Sequence, residues 1–137
     1  MNRLDTALAG GRWRPFAAGD RERIDRALGR SVPEVVSDLW SRFGGGTIPG
    51  SNVVIYDADE VIDLLEQYGD FGLADLLPLA CDGGSRDFAV DLVGRGGLPA
   101  GGIFLLGRGV MTEESLERVA ANLTELAELA RAGHPWP

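Results

Sequence analysis

Glycine divides this chain into short segments, and that division limits the fold more than any other feature. Twenty of the 137 residues are glycine. Glycines follow the helix-like segments at Gly29, Gly44, Gly69 and Gly133, and they recur in the stretch 94–102. Glycine readily takes the backbone angles that end helices and close turns. The sequence therefore predicts one small domain built from short elements, and no apolar run approaches the length needed to cross a bilayer.

Four segments have apolar residues at helical spacing. They are Asp20–Leu28, Ser31–Phe43, a helix that begins at Asp57 and stops at Gly69, and Thr112–Ala132. Ser31 with Glu34, and Asp57 with Glu60, have the spacing of a capping box. Thr112–Ala132 is the longest segment, and its continuous apolar face predicts a single helix.

The remaining patterned segments are strand-like because they are short and apolar; the first is rich in β-branched residues and the third alternates between apolar and other residues. They are Asn52–Tyr56, Leu76–Ala80, Asp87–Val93 and Ile103–Leu106. Pro78 predicts an edge or a bulge in its strand, and Asp82-Gly83-Gly84 predicts a turn. The order of elements, with hairpin-like junctions, predicts an α+β fold in which helices cover an antiparallel sheet.

Net acidity narrows the choice of partner. The chain has 21 acidic and 13 basic residues, which gives a net charge of −8. Binding to nucleic acid requires clustered cations, so direct nucleic-acid binding is not expected. Complementary charge would steer a basic partner towards the chain, whereas the alternative interpretation is that acidity only aids solubility.

The residues of common catalytic and metal sites are scarce. The one histidine, His134, lies near the end of the chain, and the one cysteine, Cys81, ends a predicted strand. This inventory assembles neither a nucleophilic triad nor a zinc site. We therefore expect no catalysis and no cofactor. A single cysteine forms no internal disulfide, and no secretory signal is evident, so a cytoplasmic location is expected.

Several motifs resemble those of the SMI1/KNR4 (SUKH) family. Val32-Pro33-Glu34 opens a helix that ends in Phe43-Gly44-Gly45-Gly46, as in the family's first motif. Leu77–Gly84 resembles its central strand and turn, and Phe88–Leu92 resembles the strand that follows. A closing strand, Gly102–Leu106, and a terminal amphipathic helix complete the same order.

The resemblance implies a fold and a class of function. The fold is a curved, mainly antiparallel sheet flanked by helices. The resemblance covers a SUKH-like domain over residues 20–132. From the residues themselves we expect an N-terminal arm over 1–19 that packs on the domain through its aromatic side chains, and a flexible tail over 133–137. The family comprises protein-binding modules without known catalysis, and many bacterial members are immunity proteins that neutralise toxins such as nucleases.

Two hypotheses without catalysis follow, together with a third that involves a small molecule. The first is an immunity protein whose exposed acids occlude the basic cleft of a toxin. The acids predicted to contact that partner are Asp57, Asp59, Glu60, Asp63, Asp87 and Asp91. The second is a regulatory or scaffold adaptor with a different protein partner. The third is an enzyme or small-ligand binder.

Overall fold

The structure, a computed structural model, describes residues 2–137. Within that range, six strands form one open antiparallel sheet in the order of the chain, flanked by five helices. The helices are α1 (Arg3–Leu8), α2 (Asp20–Leu28), α3 (Glu34–Arg42), α4 (Ala58–Asp70) and α5 (Leu123–Arg131). The strands are β1 (Gly46–Thr47), β2 (Val54–Ile55), β3 (Leu76–Cys81), β4 (Arg86–Asp91), β5 (Ile103–Gly107) and β6 (Glu117–Ala120). The predicted α+β fold with an antiparallel sheet is confirmed.

Two local predictions are confirmed in detail. At the start of α4, the Asp57 carboxylate accepts a hydrogen bond from the Glu60 amide at 3.0 Å, and the Glu60 carboxylate accepts one from the Asp57 amide at 3.2 Å. This is the predicted capping box. The pairing of β3 with β4 shifts register between Pro78 and Ala80, because proline has no amide hydrogen to give to the ladder.

The single helix predicted over Thr112–Ala132 is wrong. A 3-10 turn at Glu113–Ser115 leads into β6, which pairs with β5, and α5 begins only at Leu123. The Asn122 side chain caps α5 by accepting a hydrogen bond from the Glu125 amide at 2.9 Å. Without β6 the backbone groups of β5 would have no partner on that side, so sheet pairing overrides the helical pattern.

Two other sequence predictions are wrong near α3. The helix begins at Glu34, after Pro33, and the predicted capping box of Ser31 with Glu34 does not form. Instead, the Asp25 carboxylate of α2 accepts a hydrogen bond from the Val32 amide at 2.8 Å. The two-residue strand β1, which follows α3, was not predicted because its glycine-rich sequence carries no strand pattern.

The residues before α2 pack on the domain. α1 lies against α5, although the sequence predicted no helix there. Phe16 stacks on Trp40 with ring centroids 4.9 Å apart. Arg14 exchanges main-chain hydrogen bonds with Gly45, and the approach is so close that a Cβ at Gly44, whose φ is +78°, would clash with the Arg14 carbonyl. Met1, the first residue of the predicted arm, lies outside the described residues.

Both faces of the central strands are covered. Phe88 points to one face, where Trp136 of the tail 133–137 packs edge-on at 4.9 Å between ring centroids. Asp87 points to the other face, where α4 contributes Tyr68. The tail, predicted to be flexible, is thus placed against the sheet through Trp136.

None of the helices in residues 2–137 has the length and apolar content that crossing a bilayer requires.

Candidate functional site

The solvent face of α4 carries a stripe of carboxylates. They are Asp59, Asp63, Glu66 and Asp70, and we call them the α4 stripe. Their spacing of four, three and four residues places them on one side of the helix, and all four are exposed. The opposite side of α4 is buried and apolar. Core packing therefore fixes the direction in which the stripe faces.

Three of the four stripe carboxylates form no salt bridge in the described part of the chain. Asp59 forms an ion pair with Arg23 of α2, with 2.8 Å between Oδ1 and Nη2. Among residues 2–137, no salt bridge reaches Asp63, Glu66 or Asp70. Their charges are thus available to a basic partner, and they lie close enough together to act on it within one Debye length.

The structure separates the four acids that the sequence predicted at the start of this helix. Asp57 and Glu60 use their carboxylates in the capping box, and Asp59 is paired. Only Asp63 is free. Glu66 and Asp70 were not predicted, because the predicted acids lay at the helix start and the helix was expected to stop at Gly69. The spacing after Asp63 was the signal that could have identified them.

Asp87 and Asp91, predicted as exposed acids of a strand face, are buried. Their residues are 0% and 2% exposed. The alternation along β4 suggested one face in water, as is common for antiparallel strands. Here both faces of β4 are covered, so neither carboxylate is an exposed partner-binding group.

Asp87 lies in a cluster of neutral and charged donors. The hydroxyls of Tyr56 and Tyr68 donate hydrogen bonds to its carboxylate, the second at 2.9 Å, and Nε of Arg108 lies 3.2 Å from Oδ1. Burial raises the pKa of Asp87 above its ordinary value, although the hydrogen bonds and Arg108 oppose that rise. Burial and the adjacent carboxylate also raise the pKa of both tyrosines, so they remain neutral donors.

Asp91, on the same face of the same strand, has a different environment. Its carboxylate accepts hydrogen bonds from three successive main-chain amides: Val93 at 3.1 Å, Gly94 at 3.1 Å and Arg95 at 2.8 Å. Nη1 of Arg95 adds an ion pair at 3.1 Å. Burial acts to raise the pKa of Asp91, but the amides and the Arg95 charge outweigh it and hold that pKa below its ordinary value.

Arg95 connects Asp91 to two further acids. Its guanidinium also pairs with Asp75 and, at 3.1 Å, with Glu113, and its side chain is only 11% exposed. The loop after β4 is therefore held by one cation among three carboxylates. This arrangement stabilises the loop.

A cleft of about 540 Å³ opens beside the tail. The turn between β1 and β2, the turn between β3 and β4, and residues 133–136 line it. Its cation, Arg86, pairs with Asp82 at 2.8 Å, so the two charges neutralise each other. Across the described range, no three His, Cys, Asp or Glu side chains come together in an arrangement that could hold a metal ion.

Two comparisons with known proteins find no protein similar to this chain. A scan against protein-family models finds no match, and neither does a search of curated proteins. The resemblance to the SUKH family therefore remains a prediction from the sequence motifs.

Proposed function

We propose that this chain is a protein-binding module without catalytic activity, and that its α4 stripe docks against a basic surface of a partner protein. The observation that carries the proposal is a set of three carboxylates, Asp63, Glu66 and Asp70, which lie on the solvent face of α4 and form no salt bridge in the part of the chain that the structure describes. The net charge of −8 supports it, since like charge elsewhere on the surface adds to the attraction for a cationic partner.

The form of this function that agrees with the motif resemblance is that of a cytoplasmic immunity protein. The partner is then a toxin with a basic substrate cleft, such as a nuclease, and neutralisation works by occlusion. The stripe raises the association rate, and apolar contacts beside it supply affinity. Phe71, the residue that follows α4, is 60% exposed. It lies directly after Asp70 of the stripe, and we propose that it makes such an apolar contact.

The test begins with the protein encoded by the neighbouring gene, expressed and purified. Its binding is compared for wild type, for a stripe variant (Asp63→Lys, Glu66→Lys, Asp70→Lys) and for a control variant (Glu34→Lys, Glu114→Lys, Glu117→Lys). The control acids are also exposed and, in the described part of the chain, take part in no salt bridge. Both variants change the net charge equally. A difference in binding between them therefore reports where the charge lies on the surface and not how much charge the protein carries.

We expect the stripe variant to bind about tenfold or more weakly than the control variant. In co-expression, wild type and control should protect host cells from the partner, and the stripe variant should not. Equal losses in both variants would contradict the assignment of the stripe as the interface. Binding without any toxic activity in the partner would favour the adaptor hypothesis instead.

A further inference from the structure

The turn between β5 and β6 is attached to the body of the domain through the main chain and the side chain of one residue, and its Met111 side chain is buried in the core. This turn, residues 108–112, is called the 108–112 loop below. Its own bonds are local: the Val110 amide donates to the Gly107 carbonyl at 3.1 Å, and the Ser115 hydroxyl donates to the Val110 carbonyl at 2.8 Å. Within residues 2–137, Arg108 makes every hydrogen bond from the loop to the chain outside residues 107–115.

Arg108 reaches two places on the neighbouring hairpin. Its amide donates to the Ser85 carbonyl at 2.9 Å, and its guanidinium donates to the Gly84 carbonyl, both in the turn between β3 and β4. Its Nε lies 3.2 Å from the Asp87 carboxylate. The Arg108 side chain is 38% exposed while that of Asp87 is wholly buried, so the cation can leave for water but the carboxylate cannot.

We propose that the 108–112 loop is a proton-released latch: the ionised Asp87 carboxylate holds Arg108 and with it the loop, and protonation of Asp87 frees the loop while the domain stays folded. The proton adds to a carboxylate oxygen of Asp87 and removes the negative charge that attracts the guanidinium. Arg108 then gains more from hydration than from its remaining carbonyl contacts.

The surroundings of Asp87 contain few other groups that change charge. The ionisable or charged groups that face it are Tyr56 before α4, Tyr68 on α4, Cys81 directly opposite on β3, Asp82 in the turn and Arg108. The tyrosines stay neutral because their pKa values are raised. Asp87 is therefore the group in this cluster whose protonation breaks the contact with Arg108.

The direction of the pKa shift explains why the acid form remains folded. Burial raises the pKa of Asp87 in the folded state, so the folded chain binds this proton more tightly than the unfolded chain does. Protonation at this site thus favours the folded state. Loop release and acid unfolding are separate events for this reason.

Met111 provides a reporter inside the loop. It is 5% exposed, and it is one of only two methionines, the other being Met1. With ¹³C-methyl methionine, the Met111 signal is assigned by a Met111→Leu variant, and its contact with a soluble paramagnetic agent is measured from about pH 8 to about pH 4. As the pH falls, we expect the exposure of this methyl group to rise in one step. The midpoint pH of that step should lie above the ordinary pKa range of an aspartate.

Three variants decide the outcome. Asp87→Asn should expose Met111 at every pH, with exchange of the Arg108 amide faster by about tenfold or more. Arg108→Gln should likewise expose Met111 at every pH. Because Arg108 is half-exposed, this variant can replace Asp87→Asn in the test if Asp87→Asn fails to fold. Tyr68→Phe removes a donor to the ionised carboxylate and should move the step to higher pH. Glu114→Gln, a control near the loop, should leave it unchanged.

Three results would overturn the latch. One is a Met111 methyl group that stays protected across the whole pH range while the domain remains folded. Another is an Arg108→Gln variant that retains the wild-type step in exposure, because Arg108 would then not hold the loop. A step that Glu114→Gln shifts as far as Tyr68→Phe does would likewise exclude Asp87 as its origin.

Discussion

The acids of α4 and the acids of β4 are the same kind of residue placed in opposite surroundings. On α4, Asp63, Glu66 and Asp70 face solvent and form no salt bridge within residues 2–137. On β4, Asp87 and Asp91 are buried and saturated with donors. An acid whose hydrogen bonds are made within the domain contributes to the fold, whereas an acid left in solvent keeps its charge available to a partner.

A second contrast lies within β4 itself. Asp91 is held by main-chain amides and a nearly buried arginine, so its pKa is lowered. Asp87 is held by two hydroxyls and a half-exposed arginine, and burial raises its pKa. Burial alone therefore does not determine the direction of the pKa shift. The number and the charge of the hydrogen-bond donors determine it.

The largest effect on stability is expected for Asp91→Ala. It leaves three amides without an acceptor and Arg95 with one fewer carboxylate in a nearly buried site. We expect a loss of about 3–5 kcal/mol in the free energy of unfolding, measured by urea denaturation near neutral pH. A loss below about 1 kcal/mol would mean that water replaces these hydrogen bonds. It would also mean that Asp91 contributes little more to stability than the exposed acids of α4 do.

A smaller effect is expected for Asp87→Asn. The amide oxygen still accepts from one tyrosine hydroxyl, and the cost of burying a charge is removed, so the loss of Arg108 is partly offset. We expect a cost of about 1 kcal/mol at neutral pH, below that of Asp91→Asn in the same denaturation experiment. A cost larger than that of Asp91→Asn would reverse the contrast within β4.

The two carboxylates should also change stability with pH in opposite directions. Because the folded pKa of Asp87 is raised, wild type should gain stability relative to Asp87→Asn as the pH falls through that pKa towards about 3.9, the unfolded value. Because the folded pKa of Asp91 is lowered, the advantage of wild type over Asp91→Asn should shrink as the pH falls below about 3.9. Denaturation midpoints at a series of pH values measure both trends, and trends of equal sign would contradict the assigned environments.

The smallest effect on stability belongs to the α4 stripe. Asp63→Lys, Glu66→Lys and Asp70→Lys replace exposed side chains without hydrogen-bond partners in the described residues, so each should change the free energy of unfolding by about 0.5 kcal/mol or less. Thermal unfolding of the combined variant checks this. A large loss would show that these acids serve the fold and would remove the distinction on which the comparison depends.

The capping box of Asp57 with Glu60 and the bulge at Pro78 were predictable from the sequence, since each pattern lies in a few consecutive residues. The similar pattern of Ser31 with Glu34 forms no box, and the Asp25 carboxylate of α2 accepts from the Val32 amide instead. Glu66 and Asp70 could also have been predicted, because a helix that passes Asp63 places them on its face.

Features set by distant parts of the chain were not predictable. Leu116, Val119 and Ala120 fit a helical stripe, and only the unpaired side of β5 converts that segment into β6. Asp87 alternates like a solvent-facing residue, and only the packing of α4 over that face buries it. In both places a tertiary contact outweighs the local pattern.

The central claim is that exposed charge on α4 steers a basic partner. Its most direct test is the association rate constant with the partner, measured against ionic strength for wild type, the stripe variant and the control variant. We expect the stripe variant to associate about tenfold or more slowly at low salt and to lose most of the salt dependence, while the control keeps it. Parallel salt curves for wild type and the stripe variant would contradict the claim.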